Sequence, residues 1–263
     1  MPRSKPSLAA GVRVMTLNLA HGRKLAFHQA LLSRRRFAKN LRHVGDILRR
    51  EAPDVVTLQE ADGPSVWSGS FDHVDSLARY AGFDFILRGR HVAVGWPLVL
   101  DYGTAIVSRL PVNEEQSVRF AQAPYDTKGF VRATVLAPEL GGLVDVVSVH
   151  LDFLSRGTRW RQVEILQRAL VDRPHPLILA GDFNSEWQDT TCVAWLADVL
   201  DLVAWAPDAG EPTFPNRKPQ ARLDWILVSE DLRFDSYATL SDRVSDHRGV
   251  VARLSRKTPA SSR

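Results

Sequence analysis

The chain has 263 residues, a formal net charge of +4 and 44% hydrophobic residues, the composition of an ordinary soluble globular protein. It is long enough to bury a substantial core. No apolar run approaches the roughly 18 residues of a membrane span, and no signal-peptide-like stretch precedes the first predicted strand. A single cysteine, Cys192, cannot form an internal disulfide and fits a reducing compartment, so we expect a cytoplasmic protein.

Short β-branched runs bounded by turn residues recur along the chain and predict strands. They lie at 12–17, 54–58, 83–87, 103–108, 129–136, 144–149, 176–181, 224–229 and 248–254. Helical periodicity is clearest at 34–51, 72–81, 158–172 and 187–197. Asp72 and Thr158 are candidate N-caps of the second and third helices. Because the order is neither a regular βαβ alternation nor all-β, we predict a layered α/β domain with mixed sheets.

No linker divides the chain, which predicts one domain over residues 12–254. We expect a flexible N-terminus at 1–11 and a disordered tail at 255–263 (SRKTPASSR). The helix at 34–51 carries a dense set of arginines and lysines opposite a narrow apolar stripe. That set indicates a solvated helix face, and the alternative is a surface that contacts phosphates.

Polar and ionisable residues repeatedly stand at the ends of apolar strands, and each alone is more often a turn or capping residue. The set comprises Asn18, Glu60, His150, Asp152, Asp182, Asn184, Asp224, Asp246 and His247. Strand ends on one sheet edge converge on one surface, so the set predicts a common site. Carboxylate and amide oxygens are ligands that Mg²⁺ or Mn²⁺ prefers, and no zinc, P-loop or nucleophile-elbow motif is present. The residues predict metal-assisted hydrolysis of a phosphoester.

Six motifs in order carry a family resemblance: TLN (16–18), LQE (58–60), SVHLD (148–152), GDFN (181–184), RLDWIL (222–227) and SDH (245–247). They resemble the signature of the endonuclease/exonuclease/phosphatase superfamily over about residues 12–254. The resemblance implies a four-layer α/β sandwich, in which two packed mixed sheets are flanked by helices and the site lies at one end.

The resemblance also implies roles for the metal and water side of the site. Glu60 is implied as the principal ligand of Mg²⁺ or Mn²⁺, assisted by Asn18 and by Asp246 directly or through water. Asp182 resembles the carboxylate that orients and activates the attacking water. Asn184 resembles the amide that contacts the scissile phosphate.

On the phosphate side, His247 resembles the imidazole that stabilises the transition state. Asp224 resembles the carboxylate that holds this histidine protonated. His150 stands where deoxyribonuclease I and sphingomyelinase relatives also carry histidine, whereas abasic-site nucleases usually have tyrosine. This departure weighs against a repair nuclease.

Other residues leave two interpretations open. Arg132 either reaches a substrate phosphate or pairs with an acid. Arg159 and Gln162 either support the site, with Arg159 as a candidate substrate-binding residue, or lie on an ordinary helix surface. For Asp152 we favour a turn over a metal ligand, and for His21 a loop position with no catalytic part.

The sequence therefore predicts a Mg²⁺- or Mn²⁺-dependent phosphodiesterase or phosphatase, with no obligate protein partner evident. The alternative is a DNA or RNA endonuclease or exonuclease that uses the same centre. A catalytically silent binding module on the same fold is a third hypothesis, which the filled core positions disfavour. The substrate is a phosphorylated small molecule, a lipid head group or a nucleic acid, since members of one fold differ in substrate.

Overall fold

In the computed structural model, residues 11–26, 32–97, 99–120, 128–188 and 191–257 are described. The helices are α1 (Arg34–Glu51), α2 (His73–Ala81), α3 (Arg156–Leu170) and α4 (Cys192–Val199). The strands are β1 (Val12–Asn18), β2 (Val55–Asp62), β3 (Phe85–Val94), β4 (Leu100–Ser108), β5 (Val112–Arg119), β6 (Gly129–Ala137), β7 (Gly142–His150), β8 (Leu177–Asp182), β9 (Leu202–Ala204), β10 (Asp224–Ser229), β11 (Leu232–Thr239) and β12 (Val250–Arg256).

The strands form two six-stranded sheets. The first has the order β11-β12-β1-β2-β4-β3, and the second has the order β5-β6-β7-β8-β10-β9. Each sheet has one parallel pair at its centre, β1 with β2 and β7 with β8, and its other pairs are antiparallel. The predicted mixed-sheet architecture is confirmed.

Three apolar clusters hold four layers together. Alternate residues of both sheets, such as Val14 and Ala180, fill the space between the sheets. Helices α1 and α2 cover the outer face of the first sheet, where Leu41 and Leu77 pack. Helices α3 and α4 cover the outer face of the second sheet, packed against side chains such as Trp225. Because both faces of the central strands are buried, these strands are apolar on both sides.

The helix ends follow ordinary capping chemistry. Asp72 caps α2, since its Oδ1 accepts a hydrogen bond from the backbone N–H of Asp75 at 2.7 Å, as the sequence predicts. The prediction that Thr158 caps α3 is wrong. Ser155 is the cap, and its Oγ accepts from the N–H of Thr158 at 3.2 Å, so the helix begins two residues earlier than predicted.

Three strands are missing from the sequence prediction, namely β5, β9 and β11, and all three lie at sheet edges. Edge strands are often short or charged, which removes the hydrophobic alternation that identifies a strand. Strand β5, VNEEQSVR, is mostly exposed. The predicted tail begins two residues too early, because Ser255 and Arg256 belong to β12. The rest of that tail from residue 258, and the N-terminus up to residue 10, lie outside the described residues.

Among the described residues, none of the helices combines the length and apolar character needed to cross a membrane.

Candidate active site

The site forms where one end of the first sheet meets one end of the second. In β8 and β10, Ala180 and Ile226 point into the space between the sheets. Because side chains alternate along a strand, Asp182 and Asp224, each two residues away, lie on that same face. Register places Asp182 beside Asp224 and beside His150 of β7. All three side chains are buried.

Asp182 is held by donors from both sheets. Its Oδ2 accepts from Nδ2 of Asn18 at 3.0 Å, and its Oδ1 accepts from the backbone N–H of Asn184 at 3.0 Å. Nε2 of His247 lies 3.7 Å from Oδ2. Burial and the nearby Asp224 raise the pKa of Asp182 to about 6, although His247 and the amide donors oppose the rise. The carboxylate is therefore ionised at neutral pH and able to take a proton.

His247 and Asp224 form a buried ion pair. Nδ1 of His247 donates to Oδ2 of Asp224 at 2.9 Å, which directs Nε2 towards Asp182. Burial lowers the pKa of His247, but the charges of Asp224 and Asp182 outweigh it and raise the pKa to about 10. Thr213 also donates to Oδ2 of Asp224 at 2.6 Å, and the Phe214 ring lies 4.8 Å from the imidazole. His247 is thus a protonated imidazolium fixed in orientation.

Gly181 is required directly before Asp182. Its φ is +157°, and a Cβ atom there would lie 2.0 Å from the carbonyl oxygen of Val149 on the neighbouring strand. An L side chain would push β8 away from β7. The glycine of the GDFN motif therefore fixes the position of the carboxylate that follows it.

His150 contributes a neutral imidazole. Its Nε2 lies 3.4 Å from Oδ2 of Asp182 and 2.9 Å from Nζ of Lys128. Burial and the charges of Lys128 and His247 hold the pKa of His150 well below its usual value. Nδ1 of His150 also lies 3.2 Å from Nζ of Lys128, so the neutral ring accepts a hydrogen bond from this ammonium group.

Glu60 lies at an irregularity in β2, where pairing with β4 shifts between Leu58 and Ala61. Because its φ is +47°, the Glu60 side chain departs from the alternation of side chains between the two faces of β2. β-Bulges redirect side chains in this way at functional sites. Oε2 of Glu60 lies 3.5 Å from Nε2 of His21. Burial raises the pKa of Glu60, but the charges of His21 and Lys128 more than offset it, so the pKa falls below its ordinary value.

His21, which the sequence analysis favours as a loop residue with no catalytic part, lies beside Glu60. Its Nδ1 lies 2.7 Å from Oδ1 of the buried Asp62, and its ring contacts Trp67 and Tyr102 at 5.2 Å. Burial lowers the pKa of His21, but the charges of Glu60 and Asp62 raise it above its usual value. Its position three residues beyond Asn18 is the sequence signal for this placement. Lys128 is a site residue that the sequence analysis missed, since nothing near it in sequence resembles a motif.

Asn184 and Asp246 are each held by a residue of a neighbouring loop. Asn184 has a φ of +48°, a conformation that asparagine tolerates, and its Nδ2 donates to the carbonyl of Leu151 at 3.0 Å. Oδ2 of Asp246 accepts from Nη2 of Arg23 at 2.6 Å. The Asn184 amide is therefore hydrogen-bonded to the loop after β7, and the Asp246 carboxylate is ion-paired with the loop after β1.

Two predicted substrate contacts lie away from the centre. Arg132 is on the outer face of its sheet, where Nη2 pairs with the buried Asp145 at 2.6 Å, so the structure supports ion pairing and not phosphate contact. Arg159 and Gln162 both bond to the backbone of Asp152, at 2.9 and 2.8 Å. They support the loop after β7. Oδ1 of Asp152 accepts from the N–H groups of Leu154 and Ser155, which confirms a turn.

Among the described residues, two sets of side chains are considered as ligands of a cation, one of Asp182, Asp224 and His247 and the other of Glu60 and Asn18. Asp182, Asp224 and His247 each offer a ligand atom within 4.8 Å of the others. A protonated imidazole cannot ligate a metal, and the pKa of His247 disfavours that group. Glu60 offers an ionised carboxylate with one fifth of its side chain exposed, and oxygen is the ligand that Mg²⁺ prefers. Asn18 is less free, because its Oδ1 already accepts from the N–H of Ala20 at 2.9 Å.

Fold and site together define a two-sheet α/β sandwich with a buried carboxylate–imidazolium centre at one end of the sheets. The model of the endonuclease/exonuclease/phosphatase family matches residues 15–247, and the chain belongs to this family. Comparison with curated proteins gave no match.

Solved structures share the fold. An endonuclease/exonuclease/phosphatase from Beutenbergia cavernae is 23% identical with a TM-score of 0.72, over 93% of this chain and 71% of that one. A D. rerio TDP2 humanised by 14 mutations is 17% identical with a TM-score of 0.68, over 94% and 99%. A mannosyl-6-phosphatase from Bacteroides thetaiotaomicron is 17% identical with a TM-score of 0.69, over 92% and 99%. These likenesses confirm the fold, and family membership supports phosphoester hydrolysis as the general chemistry.

Proposed function

We propose that the protein hydrolyses a phosphoester with Mg²⁺ or Mn²⁺ as cofactor, using Asp182 as the base that activates water. The observation that carries the proposal is the pairing of two buried groups with opposite roles at neutral pH. Asp182 has a pKa of about 6 and His247 a pKa of about 10, so one accepts a proton while the other carries positive charge. In such a pair, one residue (Asp182) acts as the base and the other (His247) stabilises negative charge.

In the proposed reaction, a water molecule beside Asp182 transfers a proton to the carboxylate as the water oxygen attacks phosphorus, and the bond from phosphorus to the ester oxygen of the leaving group breaks. The leaving oxygen takes up a proton from solvent, and Asp182 returns its proton to solvent. The imidazolium of His247 donates from Nε2 to a phosphoryl oxygen on which negative charge develops. Asp224 keeps the ring oriented and charged during this step. His150 and the amide of Asn184 are the further residues that contact the phosphoryl group.

Glu60, with Asp246 and Asn18, would hold the cation. The donor set fits a hard metal, because Glu60 is anionic at neutral pH and the other two residues offer oxygen atoms. When bound, Mg²⁺ or Mn²⁺ supplies Lewis-acid neutralisation of charge on the phosphate. His21 is fixed by its contacts with Asp62 and with two aromatic rings, and its Nε2 limits the orientations open to the Glu60 carboxylate.

Two substrate classes stay open for the same centre. One structural neighbour is a mannosyl-6-phosphatase, and another, D. rerio TDP2, was solved with a single-stranded DNA product. A phosphorylated small molecule or lipid head group, and a nucleic acid, are therefore both candidates to assay. A silent binding module is disfavoured, since Glu60, Asp182 and His247 are all retained.

The test is hydrolysis of a panel in Mg²⁺ or Mn²⁺: a chromogenic phosphodiester, sugar and inositol phosphates, sphingomyelin, supercoiled plasmid and an abasic oligonucleotide. Asp182→Asn should lower kcat by roughly 1,000-fold. Asp145→Asn is the matched control, because Asp145 is equally buried but pairs with Arg132 outside the site. Full activity in EDTA, or in Asp182→Asn, would show that the mechanism is wrong.

A further inference from the structure

A basic pocket of about 400 Å³ lies beside the catalytic centre. Its walls come from the loop after β1, from one face of α1 and from the loop before β10. The side chains that carry or can acquire positive charge there are Arg23, Lys24, Arg36, Lys39, His43 and Arg217. Within the described part of the chain, the pocket is lined by no carboxylate. The described ionisable side chains that line this basic pocket are therefore all basic.

In the basic pocket, Arg23 pairs with Asp246, but the positive charge of Arg36 and Lys39 is not neutralised by any described carboxylate, unlike that of Arg50 elsewhere on α1. Arg50, near the far end of the helix, pairs with Asp242 at 2.6 Å and with Glu51 at 2.8 Å. By contrast, Arg36 and Lys39 are exposed and form no ion pair with any described carboxylate. Residues three and four apart share a helix face, which brings Arg36, Lys39 and His43 together. One part of the basic helix is thus an ordinary ion-paired surface, and another part carries exposed positive charge without an ion pair to a described carboxylate.

The basic pocket is joined to the catalytic centre through Asp246. Nη2 of Arg23 holds the Asp246 carboxylate at 2.6 Å, and the N–H of Asn216 donates to the Asp246 carbonyl at 2.6 Å. Arg217 follows Asn216 directly. On the other wall, Nδ2 of the buried Asn40 donates to the carbonyl of Gly22 at 3.0 Å, which ties α1 to the loop that carries Arg23. Both walls of the pocket are therefore linked to Asp246, the residue directly before His247.

We propose that the basic pocket binds a second phosphate group of the substrate, whose scissile phosphate lies at Asp182 and His247. This rests on the proposed function. Arginine and lysine form charge-assisted hydrogen bonds to phosphate oxygens, and these are the groups the pocket presents. The substrate is then a molecule with at least two phosphates. A polyphosphorylated small molecule and a nucleic acid strand share this chemistry.

Binding is measured first, in EDTA, because this measurement does not depend on whether the protein hydrolyses the probe. The probes are inositol hexakisphosphate by calorimetry and a fluorescein-labelled single-stranded oligonucleotide by anisotropy. The double variant Arg36→Gln/Lys39→Gln should bind at least one of the probes about tenfold more weakly than the unaltered protein. The control, Arg35→Gln/Arg42→Gln, removes the same charge from the same helix outside the pocket, and its affinity should stay within about twofold.

Equal losses in the two double variants would assign the effect to the net charge of the helix and overturn the proposal. Unchanged affinity in the pocket variant, or no binding of either probe to the unaltered protein, would overturn it too. Whichever probe depends on Arg36 and Lys39 identifies the source of the second phosphate. Pocket-dependent binding without hydrolysis of any substrate would refute the proposed function while leaving the anion site intact.

Kinetics give a second readout. For a substrate with two phosphates, Arg36→Gln/Lys39→Gln should raise KM about tenfold, and for the matched monophosphate KM should change by less than about twofold. An equal rise in KM for both substrates would contradict a second-phosphate site, because the pocket would then act on the scissile phosphate.

Discussion

Nδ2 of Asn18 donates a hydrogen bond to Oδ2 of Asp182 at 3.0 Å, across 164 positions of sequence. Asn18 ends β1 of one sheet and Asp182 ends β8 of the other, so this bond joins the two sheets at the point where the chemistry is proposed. It also favours the charged form of Asp182 and lowers its pKa against the effect of burial.

Removal of this bond gives the first prediction. In Asn18→Ala, Asp182 loses a donor to its anion, so its pKa should rise above about 6. The acidic limb of the kcat/KM profile should then move to higher pH, and activity at pH 6 should fall more than activity at pH 8. Profiles measured with one substrate and fixed Mg²⁺ check this.

Ser148→Ala is the control for that experiment. Ser148 also joins the sheets, since its Oγ accepts from Nε2 of Gln59 at 3.1 Å, but it does not touch Asp182. Its loss should lower the free energy of unfolding by about 1 kcal/mol and leave the acidic limb in place. A limb that moves equally in both variants would mean that sheet packing, and not the Asn18 donor, sets the pKa.

The second prediction concerns Asp224 and the alkaline limb. His247 acts while protonated, and its pKa of about 10 means that activity is present at neutral pH and lost as the pH rises through 10. Asp224→Asn removes the leading cause that raises this pKa, so the alkaline limb should move down by about 1–3 pH units. A kcat/KM profile in which only the plateau height changes would contradict this role.

The third prediction separates cation binding from catalysis. Glu60→Gln replaces an ionised carboxylate by a neutral amide, so the affinity for Mn²⁺ should fall by more than about tenfold, since changes outside the ligand sphere already cost about 10–100-fold. Calorimetric titration of the protein with Mn²⁺ measures it. Glu115→Gln, an exposed residue of β5, is the control and should bind as the unaltered protein does. Equal affinity in Glu60→Gln would exclude Glu60 as a principal ligand.

The fourth prediction tests a backbone requirement. Gly181→Ala places a Cβ 2.0 Å from the carbonyl of Val149, so β8 must shift, and we expect a loss of about 1–3 kcal/mol in stability with lower kcat. At Gly157, in the first turn of α3, an added Cβ would meet only Oγ of Ser155, at 3.9 Å. Gly157→Ala should therefore be stabilising by about 0.5–1 kcal/mol without any change in kcat. Thermal unfolding and kcat measured on both variants distinguish local crowding from a general intolerance of alanine.

The layered α/β architecture could be predicted from the sequence alone, because the central strands are buried on both faces and their apolar runs are unambiguous. Asp182, Asp224 and His247 could also be identified as candidate site residues, because polar residues at the ends of several apolar strands indicate a common site. Edge strands such as β5 could not be predicted, because an exposed, charged strand lacks the alternation that a half-buried strand shows.

Which side chains contact one another could be seen only in the folded protein. Arg132 and His150 come from paired strands, yet Arg132 lies on the outer face with Asp145 and His150 lies between the sheets with Asp182. His21 joins the site because a left-handed loop and a bulge at Glu60 bring two sequence-distant residues to 3.5 Å. The sheet face on which a side chain lies, the strand register and the local backbone conformation all depend on packing between the sheets. Such packing is a property of the folded chain as a whole.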